Sequence, residues 1–92
     1  MATVRKGARF IGKVQGVGFR VFVQVVAQDL DFTGWVKNMA DGSVLMEAQG
    51  EETRFGVLME RIQKGNGLCK VEHMTFQICK NVEGEKGFEI RK

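Results

Sequence analysis

The sequence predicts an α+β, ferredoxin-like sandwich with the order β-α-β-β-α-β, an antiparallel sheet and two helices on one face of that sheet. Apolar residues alternate with a period of two in four segments, which indicates strands. Between them, two segments carry apolar residues at helical spacing. Each helical segment has a single apolar stripe, so both helices can pack on the same side of the sheet.

The first strand and the first helix flank a glycine-containing turn. Alternation over residues 8–14 predicts a strand whose apolar face holds Ala8, Phe10, Gly12 and Val14. The helix is predicted from about Phe19 to Leu30, and its buried stripe is predicted to be Phe22, Val25, Val26 and Leu30. Three aromatic side chains are expected in the core: Phe19, Phe22 and Trp35.

The second half begins with a hairpin, residues 33–38 and 43–49, whose turn places Gly42 at positive φ. A second helix follows, with the buried stripe Phe55, Leu58, Met59 and Ile62, and it stops at Gly65-Asn66-Gly67. Residues 69–80 are predicted to be extended, with either a bulge or a change of face near Glu72-His73. Residues 81–87 are expected to form a mobile loop before a short last strand with Phe88 and Ile90.

Composition limits the classes of protein that this chain can represent. With 92 residues, of which 43% are hydrophobic, residues 1–92 are expected to form a single globular domain. The sequence has neither a run long enough to span a membrane nor an apolar leader, so the expected location is the cytoplasm. A net charge of +3 is too weak to indicate nucleic acid by itself.

The cysteines and the histidine give no sign of a disulfide or a metal site. Cys69 and Cys79 lie ten positions apart in an extended segment, which is too far for a bond, so both are expected to be reduced and partly buried. Only His73 could join them as a metal ligand, and no metal or cofactor is predicted. His73 itself is expected to be a structural or surface residue.

The stretch from Gly12 to Arg20 is the strongest candidate for a functional site. Gly16 and Gly18 permit positive φ, and successive N–H groups in such a turn can point at one anion. The following helix adds its free N-terminal N–H groups, and Arg20 adds a planar fork of donors that matches phosphate oxygens. It is neither a Walker loop nor a dinucleotide fingerprint, because Phe19-Arg20 and Val21 stand at the required positions.

Together with Gly34-Trp35-Val36-Lys37-Asn38 and Asp41-Gly42, this stretch resembles the acylphosphatase family, which carries Gly-x-Val-x-Gly-Val-x-Phe-Arg and Gly-Trp-Val-x-Asn. The resemblance spans nearly the whole chain and implies the same fold. It also implies hydrolysis of acyl phosphates to a carboxylate and inorganic phosphate. The family's phosphate loop maps onto Gln15, Gly16, Val17, Gly18, Phe19 and Arg20, its substrate-binding arginine onto Arg20, and its water-positioning asparagine onto Asn38.

The chemistry of an acyl phosphate suits this set of residues. Its leaving group is a carboxylate, stable as an anion at neutral pH, so no general acid is required. The remaining tasks are electrostatic stabilisation and the positioning of a water, for which Arg20, backbone N–H groups and the Asn38 amide suffice without a metal. The expected partners are an acyl phosphate as substrate and inorganic phosphate or sulfate as product or inhibitor, with the chain acting as a monomer.

The sequence differs from relatives of the acylphosphatase family at two places, and two alternative functions remain. Val21 and Gly65-Asn66-Gly67 differ from what relatives often carry, and neither is expected to touch the chemistry. One alternative is a non-catalytic module that only binds phosphate or another anion. The other is a nucleic-acid-binding module of the same fold, which the lack of an aromatic residue in residues 43–49 disfavours. The sequence does not specify the acyl group.

Overall fold

Within residues 2–92, which the computed structural model describes, one sheet of five strands carries two α-helices. In chain order the elements are β1 (Thr3–Lys13), α1 (Phe19–Asp29), β2 (Thr33–Asn38), β3 (Val44–Glu51), α2 (Phe55–Lys64), β4 (Lys70–Cys79) and β5 (Phe88–Arg91). A 3-10 turn, Glu52–Arg54, leads into α2. No helix in this part of the chain is long and apolar enough to cross a membrane.

The strand order β4-β1-β3-β2-β5 confirms the ferredoxin-like α+β prediction and extends it. The pairs β1–β3, β1–β4 and β2–β3 are antiparallel, as predicted. The short last strand differs, because β5 pairs in parallel with β2 at the opposite edge from β4. To reach that edge the chain must cross the sheet between residues 80 and 87.

Both helices cover the same face of the sheet and enclose the hydrophobic core. The sheet contributes Ala8, Phe10, Val36, Val44, Met46 and Ala48, and α2 contributes Phe55, Leu58 and Ile62. The predicted stripe of α1 was wrong in part. Val25 is 54% exposed, whereas Val23 and Ala27 are buried. Phe19, packed edge-on against Phe10 with ring centroids 5.3 Å apart, starts the true stripe.

The position of Trp35 also differs from the prediction. It was expected in the core, but Val36 next to it faces the helices, so Trp35 lies on the other face of the sheet. There the guanidinium carbon of Arg91 lies 4.9 Å from the centre of the indole ring. The predicted bulge in β4 is confirmed: Ile11 pairs with His73 and the next residue pairs with Val71, so Glu72 is the extra residue.

The face of the sheet away from the helices is crossed by residues 81–87, which the sequence suggested would be mobile. The structure ties this loop down at several points. Arg5 is only 2% exposed, and its guanidinium donates two hydrogen bonds, of 2.7 and 3.2 Å, to the Glu85 carboxylate. Arg5 also donates to Glu47 at 2.6 Å, and the Gln49 amide exchanges two hydrogen bonds with the backbone of Val82. The loop is therefore anchored by an arginine between two carboxylates.

This network predicts a specific pH dependence of stability. The hydrogen bond from Arg5 lowers the pKa of Glu85 below its ordinary value. A carboxyl whose pKa is lowered by folding stabilises the protein above its unfolded pKa, and that stabilisation is lost as the pH falls through the folded value. We expect Glu85→Gln to lower the free energy of unfolding most above about pH 5, the range where carboxylates are ionised. The difference from the parent protein should shrink in acid.

Urea unfolding between pH 3 and pH 7 measures this difference. Glu83→Gln in the same loop is the matched control, because Glu83 is exposed and forms no salt bridge within residues 2–92. Equal pH dependence in the two variants would contradict the prediction.

Candidate active site

The loop between β1 and α1 has the backbone conformation that the sequence predicted. Gly16 and Gly18 both have φ of 73°, a left-handed conformation that favours glycine, and the Val17 between them does not share it. Gly18 is the N-cap residue of α1 and makes no side-chain cap. The first hydrogen bond of the helix runs from the N–H of Phe22 to the carbonyl of Gly18, at 3.0 Å. The loop thus leads directly into an uncapped helix N-terminus.

The backbone N–H groups from Gly16 to Val21 are free to bind a ligand. None of them donates to an acceptor among residues 2–92. The first turn of α1 also contains no acidic residue. Free N–H groups together with the positive end of a helix dipole favour the binding of an anion.

Arg20 is the arginine that the structure leaves available. Arg5, Arg9, Arg54, Arg61 and Arg91 each form a salt bridge with a carboxylate. Arg20 is half-buried and has no such partner within the described chain. It lines a cavity of about 110 Å³ together with Gly16, Gly18, Val21 and Ile90. A half-buried guanidinium without a counter-ion is a suitable partner for a phosphate.

Asn38 is the last residue of β2, and its side chain carries an unsatisfied acceptor. The Oδ1 atom is buried and has no hydrogen-bond partner among residues 2–92. Buried polar atoms are nearly always hydrogen-bonded in folded proteins, so an exception of this kind calls for a ligand or a water. The missing partner must be a donor, because Oδ1 can only accept.

Gln15 connects the loop to the strand that carries Asn38. Its Nε2 donates to the carbonyl of Met39 at 2.8 Å and to the carbonyl of Ser43 at 2.9 Å. The turn that follows Asn38 is closed by a hydrogen bond from the N–H of Met39 to the Ser43 carbonyl, at 2.8 Å. Both donor positions of the Gln15 amide are thereby used on the protein. If Gln15 binds phosphate as predicted, it must do so through its backbone.

Asp41 shapes the same turn. Its Oδ1 accepts from the N–H and the hydroxyl of Ser43, at 2.9 and 2.6 Å, and its Oδ2 accepts from Arg9 at 2.8 Å. The hydrogen bond from the Ser43 hydroxyl is the main reason why the pKa of Asp41 lies below its ordinary value. Gly42 has φ of 91°, which confirms the predicted turn position.

Two predicted loop residues turn their side chains inward. The Phe19 ring is buried in the core, and the Val17 side chain packs against the core. Each can therefore offer the ligand only its backbone N–H. Val21 lies at the rim of the cavity and is 56% exposed. The difference from relatives at this position therefore changes the rim and leaves the loop intact.

Sequence reasoning missed Asn66. The loop Gly65-Asn66-Gly67 was noted only as a difference from relatives, and the structure places it against the loop between β1 and α1, where Asn66 Nδ2 donates to the carbonyl of Val17 at 3.0 Å. An asparagine between two glycines signals a turn, and nothing in the sequence indicates a contact with a loop 49 residues away. Ile90 of β5, on the cavity wall, was also not foreseen as part of the site.

The remaining candidates lie elsewhere. His73 is exposed on β4, as expected, and both cysteines are free and partly buried. Among residues 2–92, no three His, Cys, Asp or Glu side chains are grouped so that they could hold a metal ion.

Comparison with known proteins points to one family. A sequence model of the acylphosphatase family matches residues 6–90. An acylphosphatase from Clostridium beijerinckii is 43% identical over 88 residues, which are 96% of this chain and 98% of the relative. One from Oceanobacillus iheyensis is 50% identical over 82 residues, 87% of this chain and 89% of the relative. The crystal structure of acylphosphatase from Bacillus subtilis superposes with a TM-score of 0.91 at 35% identity, covering 97% of this chain and 99% of that one. The matched residues include the loop and Asn38.

The role of Gln15 gives a stability prediction. Gln15→Met keeps the size of the side chain and removes both hydrogen bonds to the turn after Asn38. Met39 and Ser43 each keep another donor on their carbonyls, so we expect the free energy of unfolding to fall by about 1–2 kcal/mol. Urea unfolding measures the change. The control is Gln63→Met on the exposed side of α2, and equal effects of the two substitutions would contradict the assignment.

Proposed function

The chain belongs to the acylphosphatase family, and we propose that the loop from Gln15 to Arg20 holds the phosphoryl group of the substrate while Asn38 orients the attacking water. The reaction is hydrolysis of the carboxyl–phosphate bond of an acyl phosphate to a carboxylate and inorganic phosphate. One observation carries the assignment of roles. Among residues 2–92, the N–H groups of residues 16–21 and the buried Oδ1 of Asn38 have no hydrogen-bond partner.

The phosphoryl group carries negative charge that the loop is built to receive. In a loose transition state that charge spreads over the three equatorial oxygens, so catalysis consists mainly of positioning and electrostatic stabilisation. The N–H groups of residues 16–21 provide backbone donors for those oxygens, and the fork of Arg20 adds side-chain donors. Because the backbone donors are held by the fold, they need no reorganisation when the charge develops.

The water is the second reactant and must approach opposite the leaving carboxylate. Asn38 Oδ1 accepts a hydrogen bond from this water, which directs a lone pair of the water oxygen toward phosphorus. A P–O bond to the water forms while the P–O bond to the acyl group breaks. The carboxylate leaves with the electron pair, and both protons of the water stay on the phosphate, which is formed as dihydrogen phosphate. No protein group has to protonate the leaving group.

Other properties follow as part of the same proposal. Residues 1–92 act as one domain, as a monomer and in the cytoplasm. Inorganic phosphate and sulfate compete with substrate for the loop. The acyl group is held weakly, since the loop contacts only the phosphoryl end, and the cavity beside the loop offers the apolar side chains of Val21 and Ile90. A nucleic-acid-binding role is not favoured, because β3 has no aromatic side chain and residues 81–87 cross the open face of the sheet.

Hydrolysis of benzoyl phosphate by the purified chain tests the function directly. We expect turnover that is unchanged by excess EDTA, because Arg20 and backbone N–H groups supply the charge compensation. Loss of activity in the chelator that added magnesium restores would contradict this mechanism. Absence of any hydrolysis would contradict the function itself.

Substitutions of Arg20 and of Asn38 should impair the enzyme in different ways. Arg20→Ala should weaken substrate binding, turnover and inhibition by phosphate together, and Arg20→Lys should be nearly as poor because an ammonium lacks the planar fork. Asn38→Ala should lower kcat by a hundred- to a thousandfold, about 2.7–4 kcal/mol, and leave the inhibition constant of phosphate nearly unchanged.

Steady-state kinetics with phosphate titration measures both effects, and circular dichroism verifies the fold. Arg61→Ala, which removes an exposed salt bridge with Asp29, is the control for loss of an arginine. The division of roles is refuted if Asn38→Ala weakens phosphate binding as strongly as Arg20→Ala while kcat barely changes.

A further inference from the structure

We propose that Asn66, in the loop after α2, is a positioning residue for this site. It fixes the peptide unit between Val17 and Gly18 so that the N–H of Gly18 points toward the phosphate. The inference rests on the proposed function, because it concerns how the same loop binds its ligand. It assigns a role to a residue that lies outside the loop in the sequence and contacts neither Arg20 nor Asn38 through any hydrogen bond within residues 2–92.

Asn66 uses its whole side-chain amide, and it uses the two ends differently. Its Oδ1 accepts from the N–H groups of Leu68 and Cys69, at 2.9 and 3.0 Å, which holds the side chain in its own loop. Its Nδ2 is then directed at the Val17 carbonyl, 3.0 Å away. The first pair of contacts would be enough to form the turn. The contact with Val17 is not needed for that turn, and it holds the loop between β1 and α1.

The planarity of the peptide bond converts this contact into control of an N–H direction. In a trans peptide unit the C=O of residue 17 and the N–H of residue 18 lie in one plane and point in opposite directions. When Asn66 draws the Val17 oxygen to one side, the N–H of Gly18 must point to the other. That N–H has no acceptor among residues 2–92, so it is available to the ligand.

Without Asn66 little would hold this peptide unit in place. The Val17 side chain packs against the core and fixes the position of its own Cα. It does not fix rotation of the following peptide, which changes ψ of residue 17 and φ of residue 18. Gly18 can adopt either sign of φ at low cost, so rotation on its side is cheap. A single hydrogen bond from outside the loop therefore selects the binding orientation.

The test separates the two ends of the Asn66 amide. Asn66→Ser keeps an acceptor for the turn, but its side chain is too short to reach Val17. Asn66→Asp keeps the acceptor and has no N–H to donate. Both variants should raise the dissociation constant of inorganic phosphate about tenfold, because the phosphate loses one hydrogen bond from the loop. Asn66→Asp also adds a charge, so it is measured at low and high salt, and the part that remains at high salt is the positional effect.

Asn81→Ser is the matched control. Asn81 Nδ2 also ties a loop to a backbone carbonyl, that of Thr3, at 3.0 Å, and it does so at the opposite end of β1 from the site. We expect phosphate binding by Asn81→Ser to equal that of the parent protein. In NMR spectra, the phosphate-induced shift of the Gly18 amide proton should be reduced in Asn66→Ser and preserved in Asn81→Ser.

Each result of these measurements either supports or overturns the inference about Asn66. Weaker phosphate binding in both Asn66 variants, with Asn81→Ser unchanged and thermal unfolding well above the assay temperature, supports the inference. Parent-like phosphate binding and an unchanged Gly18 shift in Asn66→Ser would overturn it, as would equal losses in Asn66→Ser and Asn81→Ser. If the parent protein neither binds phosphate nor hydrolyses benzoyl phosphate, the proposed function fails, which these measurements distinguish from failure of the Asn66 inference alone.

Discussion

The proposed mechanism requires the N–H groups of residues 16–21 to stay unpaired and yet keep a fixed direction, and three contacts with the surrounding structure meet that requirement. A loop usually stabilises itself by pairing its own backbone groups, and unpaired groups are tolerated only where water or a ligand can reach them. This loop cannot use its own donors, so it is held from outside. Gln15 fastens it to the turn after Asn38, the Val17 side chain fastens it to the core, and Asn66 fastens it to the loop after α2. Three distant parts of the chain thus meet at one loop.

The far face of the sheet contributes to the same site through β5. Ile90 can line the cavity only because residues 81–87 cross the sheet and deliver β5 to the side of β2. That crossing is fastened by Arg5 between Glu85 and Glu47. A buried ion pair of this kind adds little net stability, since desolvation offsets much of the attraction, but removing one partner is costly. We interpret the network as a device that fixes where the last strand lies, and through it one wall of the site.

The sequence predicted the elements, the glycine turn and the bulge in β4 because each depends on nearby residues. Period-two alternation, the glycines and the helix stop are local signals, and the structure agrees with them at Gly42 and Glu72. The rotation of α1 was harder, because apolar residues occupy nearly every position from Val21 to Ala27 and the spacing fits more than one face. The packing of Phe19 on Phe10 decides it. Asn66 could not be predicted at all, since its partner is distant in sequence and is a backbone carbonyl, which carries no residue-type signal.

The cost of groups without hydrogen-bond partners also explains why the site consists of so few groups. A buried acceptor without a partner, such as Asn38 Oδ1, costs about 1–3 kcal/mol, and a small domain is stable by only about 5–15 kcal/mol. A chain of 92 residues can therefore keep few such groups. At this site, the groups that have no partner among residues 2–92 are Asn38 Oδ1, the Arg20 guanidinium and the N–H groups of residues 16–21. An ester with an alkoxide leaving group would demand an acid as well. A carboxylate leaving group removes that demand, so an acyl phosphate is the phosphate compound whose hydrolysis this small set of groups can best promote.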